Sequence, residues 1–247
     1  MIAGIMEYEG VKPVLDVQIA GRSFPTEGGE SLQALADLSF SLMPDTVTCI
    51  VGPSGCGKTT TLRAILGLDQ HYDGTITQPG SERLAAVFQE PRLLPWRTVE
   101  QNVRLVLPEK RLNDSLDELF EQLGIAHVRG FYPNQLSLGL ARRVSLARAF
   151  VLQPELLVLD EPFVSLDEST ATRLRLLLVN LLQTHRTTTL MVTHNVNEAA
   201  QLADRILVFS ERPATIVGEV AISVARPDRD LPCLESVAAD VAALQQL

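Results

Sequence analysis

The chain has 247 residues, and 46% of them are hydrophobic, enough for one large domain or a core carrying a subdomain. A net charge of −9 argues against a nucleic-acid-binding basic surface, and 5% aromatic residues argue against a base-stacking platform. Cys49, Cys56 and Cys233 are odd in number and lack metal-ligand spacing, so they are expected to be free thiols in a reducing compartment. The richest apolar run, residues 174–182, is interrupted by Arg175 and Asn180 and is far shorter than the ~20 residues of a membrane span. Glu7 and Glu9 stand where a signal peptide would be basic.

Taken in order, residues 1–11 read as a loose leader and 14–19 as a strand. Residues 22–30, rich in Gly, Pro, Ser and Thr, read as a loop holding Phe24. Residues 35–43 read as a strand, 44–45 as a turn, and 46–51 as a buried strand. A helix follows at 59–66, then short strands at 74–78 and 84–88. Arg92 to Trp96 is a proline-bounded segment with the only tryptophan. Helices are expected at 98–105, 115–123 and 137–150. Strand and helix then alternate: 156–159, 169–182, 188–192, 195–202 and 205–209. The terminal stretch 231–247 reads as helical. This order predicts an α/β fold with a helical insertion between Phe88 and Phe150.

The first chemical motif lies between the buried strand and the first helix. Gly52-Pro53-Ser54-Gly55-Cys56-Gly57-Lys58-Thr59-Thr60 fits G-x-x-x-x-G-K-[ST] in its strand–loop–helix setting. Glycines let backbone N–H groups converge on a polyanion, and the helix aims its positive dipole end at it. Lys58 can reach the β- and γ-phosphates, and the Thr59 hydroxyl can ligate Mg²⁺. An ordinary glycine turn before a core helix is the weaker reading.

The second motif is the apolar run 156–159 closed by Asp160 and Glu161. Ligands in parallel sheets bind at the carboxyl ends of strands. Asp160 is therefore expected to serve Mg²⁺, and Glu161 to orient or deprotonate water. A solvated acidic turn competes as a reading until the phosphate loop is taken into account. His194 ends another strand, where it can meet a γ-phosphate, although a lone histidine is usually structural; Gln89 ends a third, where its amide oxygen can meet Mg²⁺ or water, and neither residue is persuasive alone.

With these residues in place, the chain resembles the ATP-binding subunit of an ABC transporter over nearly its whole length. Residues 52–60 resemble Walker A, 87–91 the Q-loop, 156–161 Walker B, 165–167 the D-loop and 192–194 the H-switch. Residues 135–140 lie where the signature motif belongs. Phe24 falls where the family places an adenine-stacking aromatic, although loop aromatics more often plug a core edge. The run from Phe88 to Val103, with Arg212-Pro213 and the following strand, is similar to importer ATPases for nitrate, sulfonate and taurine.

The resemblance implies a P-loop NTPase of ABC type: a RecA-like core, an N-terminal antiparallel β-subdomain and a helical subdomain. The single domain would span 12–247, with its core at about 12–88 and 151–225, the helical part at about 89–150 and a tail at 226–247. It implies ATP and Mg²⁺ as cofactors and a second copy of the chain as partner, with Ser137 and Gly139 closing over the phosphate held by that copy. It also implies integral membrane permease subunits, an indirect periplasmic or extracellular solute-binding protein, no nucleic acid, and a peripheral place on the cytoplasmic membrane face. Leu93, Leu94 and Trp96 would meet the permease, or else pack the helical insertion.

One departure qualifies this. The family's Leu-Ser-Gly-Gly-Gln reads Leu136-Ser137-Leu138-Gly139-Leu140 here. Leu138 is tolerated if its backbone is helical and costs about 1–2 kcal/mol if it is left-handed. The alternative function is thus a nucleotide-gated dimerising regulator with weak hydrolysis. A soluble ABC ATPase of DNA repair or translation fits less well, because the chain is acidic and has no long coiled-coil insertion.

Overall fold

The computed structural model describes residues 10–25 and 31–246. Most of the expected leader, and residues 26–30 of the expected loop, lie outside them. The chain forms two compact units, one within Met1–Pro79 and Thr188–Leu247 and the other within Gly80–Thr187.

The first unit holds two layers of strands. β1 (Leu15–Pro25) lies between β2 (Ser31–Leu42) and β4 (Asp73–Thr77), antiparallel to both. Its inward residues Leu15, Val17 and Ile19 alternate with more exposed ones, the period-2 pattern of a half-buried sheet. β1 runs on through residues 22–25, where the sequence predicts a loop. The reason is register: β4 pairs with β1 only as far as Gly21, while β2 continues to Pro25, paired with Ser31. The last residues of β1 therefore have one neighbour, and on such an edge a proline need donate nothing.

Behind this layer, β3 (Val47–Val51) lies between β7 (Thr188–Thr193) and β8 (Arg205–Phe209), parallel to both, and β9 (Ile216–Ala221) closes the edge antiparallel to β8. β3 and β7 are buried at every position, as a strand covered on both faces must be. α1 (Lys58–Ile65), α6 (Val196–Leu202) and α7 (Leu231–Leu244) complete the unit. α7, the expected terminal helix, is capped by Asp230, whose carboxylate accepts from the Cys233 amide at 3.0 Å, and has proline in its first turn.

The second unit has a parallel pair, β5 (Leu84–Val87) and β6 (Leu156–Asp160), in register from Leu84–Leu156 to Val87–Leu159. Its helices are α2 (Val99–Arg104), α3 (Asp117–Gln122), α4 (Leu138–Phe150) and α5 (Glu168–His185). α2 starts with a capping box: the Gln101 amide donates to the Thr98 hydroxyl, and the Thr98 amide donates to the Gln101 side chain. Phe120, Leu123, Val144 and Phe150 fill the core of this helical region. All three cysteines are free thiols. Burial pushes the Cys49 thiol up, and the Asp204 carboxylate adds to the effect, so it is chemically inert.

Candidate nucleotide site

In the first unit the register brings two predicted groups to one sheet end. β3 and β7 run parallel with Val51 opposite Thr193, so the loop at residues 52–57 and His194 leave the sheet side by side. Cys56, Gly57 and Lys58 are buried, while Pro53, Ser54, Gly55 and Thr59 are exposed and Thr60 is half-buried. The Lys58 ammonium is folded over the loop and donates to the carbonyls of Gly52 and Pro53, both at 2.7 Å. The Cys56 amide donates to the same Pro53 oxygen at 3.4 Å. Two donors thus converge on one oxygen, and a phosphate oxygen offers the same acceptor chemistry with more charge.

His194 is exposed and sits on a braced turn. The Thr193 hydroxyl donates to Glu198 at 2.7 Å and accepts from the Asn195 amide at 3.0 Å. The Asn195 side chain caps α6 by accepting from the amides of Asn197 and Glu198. Nothing in the isolated sequence marks this bracing. Phe24 is half-buried within β1, and the Arg22 guanidinium lies 4.0 Å from its ring centroid while pairing with Asp69 at 2.9 Å.

In the second unit the β5–β6 register sets Val87 beside Leu159, so Gln89 and the Asp160–Glu161 pair leave neighbouring strands at one end. Gln89 is exposed, and the two acids are half-buried. Glu161 has φ 45° and Ser165 φ 64°, left-handed conformations that a non-glycine residue adopts at some cost. Strain of this kind collects where a side chain must be aimed.

Ser137 caps α4, its hydroxyl accepting from the Leu140 amide at 3.3 Å. Leu138 is the first residue of that helix and is absent from the left-handed region, so the backbone penalty does not arise. Gly139 is where α4 and α5 meet: a Cβ there would lie 2.8 Å from the Thr170 methyl. Asp167 caps α5, and hydrogen bonds from Ser169 and then Thr170 hold its carboxyl far below the usual range.

Two arginines of α4 matter to the site although no motif in the sequence marks them. Arg142 is buried and donates to the carbonyls of Phe88 at 2.9 Å and Val164 at 3.4 Å. Arg148 donates to those of Pro91 at 2.9 Å and Arg92 at 2.8 Å. Together they tie the signature helix to the backbone on either side of Gln89 and to the turn before Asp167. Burial pulls the Arg142 pKa down, with Glu90 opposing, but a guanidinium stays charged at neutral pH. Their only sequence signal is charge on a helix whose other face is apolar.

Beyond Gln89, Trp96 is 70% exposed, whereas Leu93 and Leu94 are half-buried. The turn carrying them is held by buried Asn102, which accepts from the Leu94 amide at 2.7 Å and donates to the carbonyls of Leu94, Arg97 and Thr98. Among the described residues there is no group of three or more His, Cys, Asp or Glu able to hold a metal unaided, and no helix long and apolar enough to cross a membrane.

Residues 35–164 match the profile of the family described as ABC transporter. An aliphatic sulfonates import ATP-binding protein, SsuB 2 of Burkholderia cenocepacia, is 38% identical over 230 residues, covering 90% of this chain and 83% of its own length. SsuB of Granulibacter bethesdensis is 44% identical over 199 residues, 81% of this chain and 82% of its own. SsuB of Bacillus subtilis is 35% identical over 231 residues, 90% of each. Among solved structures, MJ0796, a bacterial ABC transporter cassette, matches with a TM-score of 0.73 at 24% identity, covering 85% of this chain and all of that one. The cbiO1 protein of Clostridium perfringens matches with a TM-score of 0.72 at 23% identity, covering 93% and 92%. These two establish the P-loop ABC fold. The chain belongs to the ABC transporter family of ATP-binding proteins and is an ATPase.

Proposed function

We propose that this ATPase is the energy-supplying subunit of an importer for a small solute of the nitrate, sulfonate or taurine class. It would work as a pair beneath membrane permease subunits that receive solute from a separate binding protein. The observation that carries the reading is the exposed Trp96 on its Asn102-braced turn, in a chain whose relatives are named for aliphatic sulfonate import. An exposed aromatic on a rigid turn suits a protein partner better than solvent. The docked surface would lie at the membrane's inner face.

In this reading Lys58 and the amides of residues 52–60 hold the phosphates of ATP, and Phe24 stacks on the base. Glu161 takes a proton from the attacking water, and His194 steadies the γ-phosphate. Ser137 and Gly139 serve the nucleotide of the second copy, through the serine hydroxyl and the glycine N–H. The donors Thr59, Gln89 and Asp160 are all hard oxygens, the set that Mg²⁺ prefers alongside substrate phosphates. When bound, Mg²⁺ supplies charge neutralisation of the phosphates. Positioning and electrostatics do most of the rest.

The test is Glu161→Gln in the reconstituted permease complex. A general base contributes roughly 10²–10⁴-fold. ATP should stay bound while phosphate release and solute uptake fall by at least about 100-fold. Undiminished phosphate release would remove Glu161 from the mechanism. The alternative of a nucleotide-gated regulator draws no support from the relatives, and the helical backbone at Leu138 removes one reason for it.

A further inference from the structure

The turn after β8, residues 210–215, carries the Arg212-Pro213 pair but has no part in the chemistry above. It is nonetheless built against the phosphate loop. Ala214 is fully buried, its amide donating to the Ala34 carbonyl and its carbonyl accepting from the Ala36 amide, both at 2.9 Å. A Cβ placed on Gly57 would come within 3.2 Å of the Ala214 methyl. The Ser210 hydroxyl folds the turn on itself, accepting from the Thr215 amide at 3.0 Å and lying 2.7 Å from the Glu211 carbonyl. From this anchored turn the Arg212 guanidinium donates to the carbonyl of Gly55, at the tip of the loop.

That bond acts on a specific peptide group. The Gly55 carbonyl and the Cys56 N–H belong to one planar trans unit and point in opposite directions. Gly55 has φ 74°, a conformation open to glycine at no steric cost, so this peptide is free to turn unless something holds it. Drawing the carbonyl toward Arg212 turns the Cys56 N–H the other way, toward the Pro53 oxygen that also receives Lys58. The guanidinium also polarises the peptide, which strengthens its N–H as a donor, and adds a fixed positive charge beside the loop.

We propose that Arg212 is a positioning residue for nucleotide phosphate: it latches the Gly55–Cys56 peptide so that the Cys56 N–H faces the bound triphosphate. The inference rests on reading residues 52–59 as the phosphate loop.

The test measures ATP affinity by competition with a fluorescent nucleotide, and steady-state kinetics, for Arg212→Ala, Arg212→Gln and Arg212→Lys in the full chain. Arg212 is exposed, so folding is checked by urea midpoint and is expected to hold. Losing the aim of one N–H toward a charged phosphate should weaken ATP roughly ten- to a hundredfold in the alanine variant. KM should rise in parallel while kcat falls less than twofold. The glutamine variant should behave like alanine, because its amide is two bonds shorter than the guanidinium and falls short of the Gly55 carbonyl. The lysine variant should recover part of the affinity. Inorganic tripolyphosphate should lose affinity by the same factor as ATP, because the latch acts on phosphate and not on the base. Affinities within twofold of the parent in all three variants would overturn the proposal, as would a loss confined to kcat. Lys58→Ala separates the two ideas. If it binds ATP normally, the phosphate-loop reading fails. If it abolishes binding while the Arg212 variants bind as the parent does, only the latch fails.

Discussion

Gly57→Ala is the substitution whose cost is most fully set by the geometry. The residue has φ 134°, beyond even the left-handed helical region that other residues sometimes visit. Holding alanine there costs about 1–3 kcal/mol in backbone strain. Its new Cβ would stand 2.8 Å from a Leu35 methyl and 3.0 Å from the Ala34 carbonyl. The carbonyl cannot retreat easily, since it already accepts from the Ala214 amide at 2.9 Å. Overpacking of this kind typically costs a further 1–3 kcal/mol. The sum, about 2–6 kcal/mol, is a large part of the 5–15 kcal/mol that holds a typical domain together. Urea unfolding of the nucleotide-free protein, with nucleotide binding measured alongside, is the assay. The loop can escape the strain only by leaving its present conformation, so lost stability or lost binding must appear. Gly130→Ala is the control, with open space around its Cβ and no positive φ, and should change stability by less than about 0.5 kcal/mol. A Gly57→Ala protein within about 0.5 kcal/mol of the parent and binding ATP within twofold would refute the reasoning.

Two further outcomes follow from the second unit. Leu138 already has helical backbone at the start of α4, so Leu138→Gly should leave turnover in the assembled complex within about threefold, at a cost of ~0.5–1 kcal/mol to the helix. A tenfold rise would instead favour the weakly hydrolysing regulator. Asp167 has a folded pKa far below its unfolded value, so its stabilising effect is complete above the unfolded value of about 3.9 and fades as pH falls toward the folded one. Asp167→Ala should therefore be less stable than the parent by a constant margin from pH 8 to about 5, with the gap closing below about 4. A gap that widens on acidification would contradict the capping role.

Much of this arrangement is legible in the sequence because parallel strands covered on both faces betray themselves as unbroken apolar runs. The runs expected at 46–51, 156–159, 188–192 and 205–209 are strands to within a residue at either end, and the phosphate loop, the Asp160–Glu161 pair and His194 lie at or just past the carboxyl ends of the first three. Helix starts were legible wherever a cap precedes an apolar run, as at Ser137 before α4. The extension of β1 through Phe24 to Pro25 was not, because Gly, Ser and Pro report local preference while the pairing with β2 is a long-range fact. The grip of Arg142 and Arg148 on the backbone around Gln89 was hidden for the same reason: an arginine's carbonyl partner 54 to 57 residues away leaves no trace in spacing. The Arg212–Gly55 contact, 157 residues apart in sequence, is a third case.

The claim on which the account turns is that each reaction chamber takes its signature helix from another copy of the chain. Specific ATPase activity of the purified protein, measured against its own concentration, tests this directly. The account predicts very low activity per molecule in dilute solution, rising with concentration until dimers saturate and higher still with the permease assembled. Full activity per molecule, flat across a hundredfold dilution of a protein shown to be monomeric, would contradict it.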